Sequence, residues 1–296
     1  MSRAATAVPP HNPVPSTLAS WLAGGCSIPL DPTPRLMGIV NVTPDSFSDG
    51  GEFLSPDRAI EHGLALVASG ADMLDVGGES TRPGARQIGA AEELDRVLPV
   101  IVALAAETGV PISIDTTKLE VARAAIEAGA TIVNDVSALR FSPGIATLAA
   151  ETGAGLVLMH MRGDPRTMQL DTRYENLLGE VGGHLREAVR RAEAAGVARG
   201  SIVVDPGIGF GKTARDNWRL IAGIPDLVPG FPVMVGHSRK SFLDPGGSRR
   251  PADRLPQTLA AGLLAALHGA AILRVHDVEA HVRLLEAYRG YEDAGA

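Results

Sequence analysis

Residues 201–213 read Ser-Ile-Val-Val-Asp-Pro-Gly-Ile-Gly-Phe-Gly-Lys-Thr, and the stretch changes character in the middle. Its first half is a short apolar, β-branched run, which is typical of a strand buried on both faces. Asp205 comes where that strand should end, Pro206 prevents further ladder pairing, and the following glycines let the backbone turn and approach another group closely. The stretch therefore predicts a buried strand that delivers a carboxylate to the edge of a core.

The ending Gly211-Lys212-Thr213 invites comparison with a phosphate-binding loop. That motif needs a glycine where this chain has Pro206, so the match fails by one residue. A single Asp-Pro-Gly is more often a turn or a helix cap than a functional site. Other apolar runs along the chain also end on polar residues, and this repetition favours a functional site over a simple turn or cap.

From Arg35 onward, short apolar runs alternate with longer amphipathic stretches. The apolar runs predict strands at 36–40, 73–76, 112–114, 132–136, 156–161, 202–204, 233–235 and 272–275. The stretches between and after them predict helices at about 56–69, 91–108, 118–128, 143–152, 175–195, 215–223, 254–269 and 277–289. Eight such units without a sharp break in composition predict an α/β fold, a single (β/α)8 TIM barrel over residues 35–290. Residues 1–34, rich in Pro, Ala, Ser and Thr, predict a partly disordered N-terminal arm, and residues 291–296 a C-terminal tail.

Composition limits the classes of function. A chain of 296 residues with 45% hydrophobic content can bury a large core. The net charge of −7 without basic clusters argues against a nucleic-acid surface, and residues 1–34 contain no apolar segment of signal length. The single cysteine, Cys26, excludes an internal disulfide, and no Cys/His spacing suggests zinc. These features predict a cytoplasmic protein with small-molecule substrates and no nucleic-acid or membrane partner.

In (β/α)8 barrels the reactive face lies at the C-terminal ends of the strands. Each predicted strand ends on polar residues: Asn41; Asp75 with Glu79, Thr81 and Arg82; Asp115; Asn134 with Asp135; His160 with Arg162; Asp205; Ser238 with Arg239 and Lys240; and Arg274 with His276. Their convergence on one mouth predicts a ligand site with two chemical halves. Acceptors suit a heterocycle edge that carries N–H donors, and donors suit a phosphate-type anion. The acceptor half comprises Asp115, Asn134 and Asp205, and the donor half comprises Arg82, Ser238, Arg274 and His276.

Two loop stretches, residues 41–51 and 75–84, are rich in Gly, Ser and Pro with embedded charges, a composition typical of mobile lids. Further motifs follow in order at 114–116, 134–137, 159–163, 205–212, 236–241 and 274–278. Together they closely resemble dihydropteroate synthase over essentially everything after Arg35. That family joins 7,8-dihydropterin-6-ylmethyl diphosphate to 4-aminobenzoate, giving 7,8-dihydropteroate and pyrophosphate in folate biosynthesis.

The resemblance implies a role for particular residues. The pterin subsite would contain Asp115, Asn134, Met159, Asp205, Phe210, Lys240 and Arg274. The diphosphate subsite would contain Asn41, Thr81, Arg82, Ser238, Arg274 and His276, with Asn41 also a ligand of Mg²⁺. The 4-aminobenzoate subsite, where sulfonamides compete in this family, would contain Phe47, Pro83 and Ser241. Catalysis would fall to Asp49, Arg82, Lys240, Arg274 and His276, and the family implies a homodimer.

Two other functions share part of this pattern. A pterin-dependent methyltransferase would keep Asp115, Asn134 and Asp205 but has no need of the diphosphate residues. A catalytically silent pterin-binding paralogue would be expected to lose lid residues, whereas this chain keeps both lids. Because no general base is evident near the expected amine, the sequence also predicts a dissociative substitution.

The chain departs from the family pattern at few positions. Residues 138–140 read Ala-Leu-Arg where many members place glycines, and His237 stands where a smaller or apolar residue is common. Pro256 and Gln257 replace a frequent small or glycine-containing pair. None of these positions is an expected ligand, so the departures predict altered loop shape or subunit contacts rather than altered chemistry.

Overall fold

The computed structural model describes residues 20–43, 56–81 and 85–294. Within these ranges, eight parallel strands form one sheet in the order β8-β7-β6-β5-β4-β3-β10-β9. The strands are β3 (Arg35–Asn41), β4 (Met73–Gly77), β5 (Ile112–Asp115), β6 (Ile132–Asp135), β7 (Gly155–Met159), β8 (Ile202–Asp205), β9 (Met234–Val235) and β10 (Ile272–Val275). A parallel bridge between Val204 and Val233 joins β8 to the segment before β9. The sheet is thereby closed into the predicted (β/α)8 barrel.

Helices surround this barrel and follow the predicted positions closely. They are α1 (Pro56–Ala68), α2 (Ala90–Glu107), α3 (Leu119–Glu127), α4 (Gly144–Thr152), α5 (Leu177–Ala194), α6 (Ala214–Ala222), α7 (Ile224–Leu227), α8 (Leu255–Leu267) and α9 (Val278–Asp293). The short α7 has no counterpart in the sequence prediction. The last helix ends at Asp293, inside the segment predicted as a C-terminal tail. Among the described residues, no helix has both the length and the apolar character needed to span a membrane.

The N-terminal ends of the strands are covered by a β-hairpin. It consists of β1 (Ser20–Ala23) paired antiparallel with β2 (Cys26–Pro29). Trp21 is fully buried in a cluster with interior side chains of the strands, and its indole Nε1 donates to the backbone oxygen of Ser201 at 2.9 Å. The sequence analysis predicts no secondary structure in residues 1–34, whereas residues 20–29 of that arm form this hairpin and pack against the barrel. Residues 1–19 of the predicted arm lie outside the described residues.

Candidate active site

The polar mouth and the apolar floor of the barrel interior come from the same strands. The floor layer, which packs around Trp21, contains Met37, Met73, Ile132, Val157, Val203, Met234 and Ile272. Residues two positions apart in a strand share a face, so the next interior layer toward the C-terminal ends follows directly from this one. It contains Ile39, Asp75, Asn134, Met159, Asp205, Gly236 and Arg274. The chemistry predicted at the strand ends therefore lies inside the barrel.

Arg274 lies at the centre of a buried charge network. Its Nε donates to Oδ2 of Asp75 at 2.6 Å, and its Nη2 donates to Oδ2 of Asp115 at 2.9 Å. Asn134 Nδ2 donates to the same Asp75 oxygen at 3.1 Å. The amide oxygen of Asn134 is buried and has no hydrogen-bond partner within the described ranges. The network thus leaves acceptors for N–H donors of a ligand, as the sequence predicts for Asp115 and Asn134.

Asp205 and Lys240 approach Arg274 from the opposite side of the mouth. A methyl group built on Gly236 would lie 3.7 Å from Nζ of Lys240 and 3.9 Å from both Oδ2 of Asp205 and Cδ of Arg274. The three side chains therefore converge around Gly236. Asp205 Oδ1 accepts a 2.6 Å hydrogen bond from the backbone N–H of Gly207, which holds the carboxylate in place.

Burial shifts the pKa values of these groups. Burial raises the pKa of Asp115 to about 7, opposed by Arg274 and reinforced by the neighbouring Asp75. A single guanidinium is shared by two carboxylates, so Arg274 offsets the desolvation of Asp115 only in part. Burial also raises the pKa of Asp205, while it lowers the pKa of Lys240 to about 8. The mouth can therefore change its protonation near neutral pH.

An apolar wall lies beside Asp205 and Lys240 in the mouth. Met159 packs with Val136, Met161 and Met168, and Phe210 lies against this cluster. Nζ of Lys240 sits 4.6 Å from the centroid of the Phe210 ring, a cation–π contact. The structure thus brings together all the residues that the sequence assigned to the pterin subsite. Their assignment to that ligand remains an expectation.

Ser238 and His276 form a second polar pair at the ends of β9 and β10. The Ser238 hydroxyl lies 3.0 Å from Nδ1 of His276 and accepts a 3.2 Å hydrogen bond from its backbone N–H. Between Ser238 and Lys240, Arg239 adopts φ of 58° and its guanidinium pairs with both oxygens of Asp277. Arg239 is therefore directed away from the mouth. Its positive φ makes a strained turn between Ser238 and Lys240.

Lys212 does not act as a phosphate-loop lysine. Its buried Nζ donates to the backbone oxygens of Gly207 at 2.9 Å and Phe210 at 2.8 Å, and it lies 3.0 Å from Nδ1 of His160. These contacts can use all three ammonium donors. Gly207, with φ of 67°, passes so close to His160 that a Cβ there would lie 1.9 Å from the His160 carbonyl oxygen. Lys212 therefore stabilises the loop that carries Asp205 and Phe210. Its contacts are not those of a lysine in a phosphate-binding loop, in agreement with the failed motif spacing.

Two of the departures from the family pattern have structural explanations. Ala138 and Leu139 adopt φ of 50° and 65°, a region that favours glycine. Asp135 holds this turn by accepting from the backbone N–H groups of Ser137 at 2.8 Å and Leu139 at 2.6 Å. His237 is fully buried behind the mouth, and burial lowers its pKa to about 3. The imidazole therefore stays neutral and is not a ligand position.

A cavity of about 200 Å³ opens beside Asp115. Thr81, Asp115 and Lys118 line it together with Phe141 and other residues. Lys118 forms ion pairs with Glu79 and with the fully buried Glu93, so it ties the loop after β4 to helix α2.

Two further predicted site residues, Asn41 and Ser241, are less buried than Asp75 and Asn134. Asn41 is half-buried at the end of β3, and Ser241 is exposed at the start of a single turn of 3-10 helix. Phe47, Asp49, Arg82 and Pro83 lie outside the described residues. Within the described ranges, no three His, Cys, Asp or Glu side chains form a cluster that could hold a metal ion.

Comparisons with known proteins agree with this geometry. Residues 37–276 match the family described as pterin binding enzyme. The chain is 48% identical over 273 residues to dihydropteroate synthase of Mycobacterium leprae, which covers 88% of this chain and 94% of that protein. The chain belongs to the dihydropteroate synthase family. It is an enzyme of folate biosynthesis.

Solved structures of dihydropteroate synthases share the fold closely. The Xanthomonas albilineans enzyme, solved with 4-aminobenzoic acid, is 46% identical with a TM-score of 0.85, covering 92% of this chain and 98% of that one. The Yersinia pestis enzyme, solved in a sulfonamide drug complex, is 41% identical with a TM-score of 0.85, covering 90% and 98%. Family membership therefore rests on sequence and on fold together.

One residue central to the site was missed by the sequence reasoning. Asp75 appeared there only as a polar strand end, with no assigned role. In the structure it is fully buried and contacts both Arg274 and Asn134. Its position two residues beyond the floor residue Met73 was the signal that could have identified it.

Proposed function

We propose that this enzyme joins 7,8-dihydropterin-6-ylmethyl diphosphate to 4-aminobenzoate by a dissociative substitution. The pterin subsite comprises Asp115, Asn134, Met159, Asp205, Phe210, Lys240 and Arg274. The diphosphate subsite comprises Asn41, Thr81, Arg82, Ser238, Arg274 and His276, and the 4-aminobenzoate subsite comprises Phe47, Pro83 and Ser241. Catalysis falls to Asp49, Arg82, Lys240, Arg274 and His276.

One observation carries these assignments most strongly. Asp115, Asp205 and Asn134 present acceptors in one buried mouth where Arg274 and Lys240 supply cationic donors. An aminopyrimidine ring needs acceptors along its N–H edge, and a guanidinium can also stack on the ring face. A mouth that offers both is suited to a pterin linked to an anion.

The dissociative course follows from the chemistry of the two substrates. An aniline nitrogen is a free nucleophile at neutral pH, so the attacking group needs no general base. The dihydropterin ring can delocalise positive charge from the methylene carbon as the C–O bond breaks and pyrophosphate takes the bonding electrons. Donors such as Arg274 and His276 then stabilise the negative charge that develops on the leaving group.

Magnesium fits the donor chemistry of this mouth. Mg²⁺ keeps several waters and binds through few protein oxygens plus substrate phosphates. The amide of Asn41, half-buried at the end of β3, supplies one such oxygen. When bound, the ion would neutralise charge on the diphosphate.

A pyrophosphate-release assay with purified protein, Mg²⁺ and both substrates tests the reaction. We expect release that requires the dihydropterin diphosphate and 4-aminobenzoate together, and competition by a sulfonamide. Release that is unaffected by omission of either substrate would exclude the synthase reaction for this chain.

An isotope experiment tests the dissociative step. Substrate carrying ¹⁸O in the bridging position is incubated with enzyme and Mg²⁺ without amine, and we expect the label to move into non-bridging positions. Arg82→Ala should suppress this exchange by roughly 10²–10³, the cost of one lost transition-state donor. Absence of exchange even with an unreactive 4-aminobenzoate analogue bound would contradict the dissociative course.

We also infer a cytoplasmic homodimer. Helices α6 and α8 pack together and expose Trp218, Leu263 and Leu264, apolar side chains that a second subunit could cover. Light scattering should give twice the mass of the chain, and a monomer at micromolar concentration would contradict this inference.

A further inference from the structure

Asp75 lies beneath the mouth, where a ligand cannot reach it. Its side chain has no exposed surface, whereas 13% of the Asp115 side chain is exposed. Because Asp115 also lines the cavity, a ligand entering the mouth can contact Asp115 but not the paired oxygen of Asp75. The two carboxylates that hold Arg274 therefore differ in accessibility.

The guanidinium of Arg274 uses a different nitrogen for each carboxylate. Nε donates to Oδ2 of Asp75 at 2.6 Å, and Nη2 donates to Oδ2 of Asp115 at 2.9 Å. A ligand that takes Asp115 as its acceptor competes only with the Nη2 contact. The Nε contact uses a separate nitrogen and a separate carboxylate, so it can persist when a ligand replaces Nη2 at Asp115.

The same oxygen of Asp75 also fixes the amide of Asn134. Since a carboxylate can only accept, the 3.1 Å contact must come from the amide nitrogen of Asn134. The amide oxygen is thereby left without a partner in the described part of the chain and is available as an acceptor. One buried oxygen on β4 thus orients side chains that arrive on β6 and β10.

We propose that Asp75 is a positioning residue of the synthase reaction. It retains the Nε contact with Arg274 when substrate displaces Nη2 from Asp115, and it keeps the Asn134 oxygen directed into the mouth. Without this carboxylate, Asp115 would be the only acid within hydrogen-bond distance of Arg274 among the described residues, and Arg274 would compete with the pterin for it. This role rests on the proposed function, because it concerns the orientation of two residues assigned to the pterin.

A double-mutant cycle tests whether Asp75 acts through Arg274. Asp75→Asn keeps the shape of the side chain and removes its charge, and we expect kcat/KM for the dihydropterin diphosphate to fall roughly 10- to 100-fold. In an Arg274→Gln background the same change should cost much less, because residues that act together are not additive. Equal losses in both backgrounds, or no loss in the wild-type background, would overturn the proposal.

Ser113 provides a matched control. It pairs with Asp75 in the β4–β5 register, it is fully buried, and its hydroxyl has no hydrogen-bond partner among the described residues. Ser113→Ala should therefore leave kcat/KM unchanged within about twofold. A loss as large as that of Asp75→Asn would mean that any change in this layer damages the mouth, and would overturn a specific role for Asp75.

A measurement on the wild-type enzyme decides the case if Asp75→Asn does not fold. The ¹⁵N-edited NMR signal of Arg274 Nε–H, identified by its loss in Arg274→Lys, should be protected from solvent exchange with and without bound pterin. Exchange as fast as that of a surface arginine in the bound state would overturn the proposal. Wild-type activity in the same preparation reports separately on the proposed function, so failure of one is distinguishable from failure of the other.

Discussion

The floor and the mouth of this barrel are built two residues apart on the same strands, yet they are opposite in character. Met73, Ile132 and Ile272 meet Trp21 in an apolar floor. Two residues further along, the same strands place Asp75, Asn134 and Arg274 in a charged mouth. The contrast shows that one alternating pattern along each strand supplies a stable core at one end and a binding site at the other.

Burial has opposite effects on the stability of the fold in the apolar floor and in the charged mouth. Burial of a large apolar side chain such as Trp21 stabilises the fold roughly in proportion to the area removed from water. Burial of Asp75 and Asp115 is unfavourable unless their charges are paired, and a single guanidinium is shared between them. We therefore expect changes in the floor to alter stability and changes in the mouth to alter binding.

The largest effect is expected for Asp205→Asn in the mouth. Loss of two charge-assisted hydrogen bonds of about 1.5–3 kcal/mol each would raise the Kd for pterin roughly 10²–10⁴-fold. Because burial raises the pKa of Asp205, its charge is unfavourable in the folded state at neutral pH, and the amide variant should be at least as stable. Calorimetric titration with a dihydropterin and thermal unfolding measure the two effects.

Asp95 offers a control for this substitution, because it is exposed on the outer helix α2. Asp95→Asn should leave pterin affinity unchanged. Unchanged affinity in a folded Asp205→Asn variant would remove Asp205 from the site and weaken the separation of the two layers.

The converse effect is expected for Trp21→Ala in the floor. Truncation of this fully buried indole should reduce the free energy of unfolding by about 3–5 kcal/mol and leave the Kd for pterin unchanged. Leu22, the next residue of the hairpin, is 44% exposed, so Leu22→Ala is a matched control with a small expected effect. Urea unfolding and calorimetry measure both quantities, and a loss of pterin affinity in stable Trp21→Ala protein would show that the floor and the mouth are coupled.

The sequence predicted the barrel elements well, because amphipathic helices and buried parallel strands have distinct periodicities. The hairpin at residues 20–29 was missed because its two strands have only four residues each. Strands this short give little periodic signal, and their stability comes from tertiary packing of Trp21 against the barrel. Tertiary contacts of this kind are not encoded in local composition.

The strand-end rule predicted that Asp115, Asn134 and Arg274 come together in the mouth, but not how their side chains pair. It also included Asp135 and Arg239, whose side chains bind a turn and Asp277 instead. Asp75 and Arg274 are separated by 199 positions, and nothing local to either residue indicates that they form an ion pair. The same limit applies to Lys212, whose contact with His160 spans 52 positions. Position along a strand is a property of sequence, whereas the choice of partner depends on how the barrel closes.

A smaller effect concerns pH and the charge of Asp115. Its pKa in the folded protein, about 7, lies above its ordinary value of 3.8, so the folded state retains a proton that the unfolded state has released. The resulting stability is complete below the lower value and is lost as pH rises through the upper one, by at most about 1.4 kcal/mol per pH unit. Urea unfolding of ligand-free protein at several pH values in this window should show the slope, and Asp115→Asn should reduce it. Parallel curves for the two proteins would contradict the assignment.

The smallest effect is expected for Ser238→Ala. This substitution tests whether the mouth binds the anion and the heterocycle through separate residues. The Ser238 hydroxyl contacts both the ring nitrogen and the backbone N–H of His276, so its loss should release the imidazole from its orientation. A neutral hydrogen bond is worth about 1 kcal/mol, which corresponds to a roughly fivefold weaker Kd for pyrophosphate. The Kd for a dihydropterin without phosphates should not change, because the protein acceptors proposed to bind the ring lie around Arg274 and not at Ser238. Calorimetry with each ligand separates the two cases, and equal losses for both would mean that the mouth acts as one unit in which anion and heterocycle share every contact.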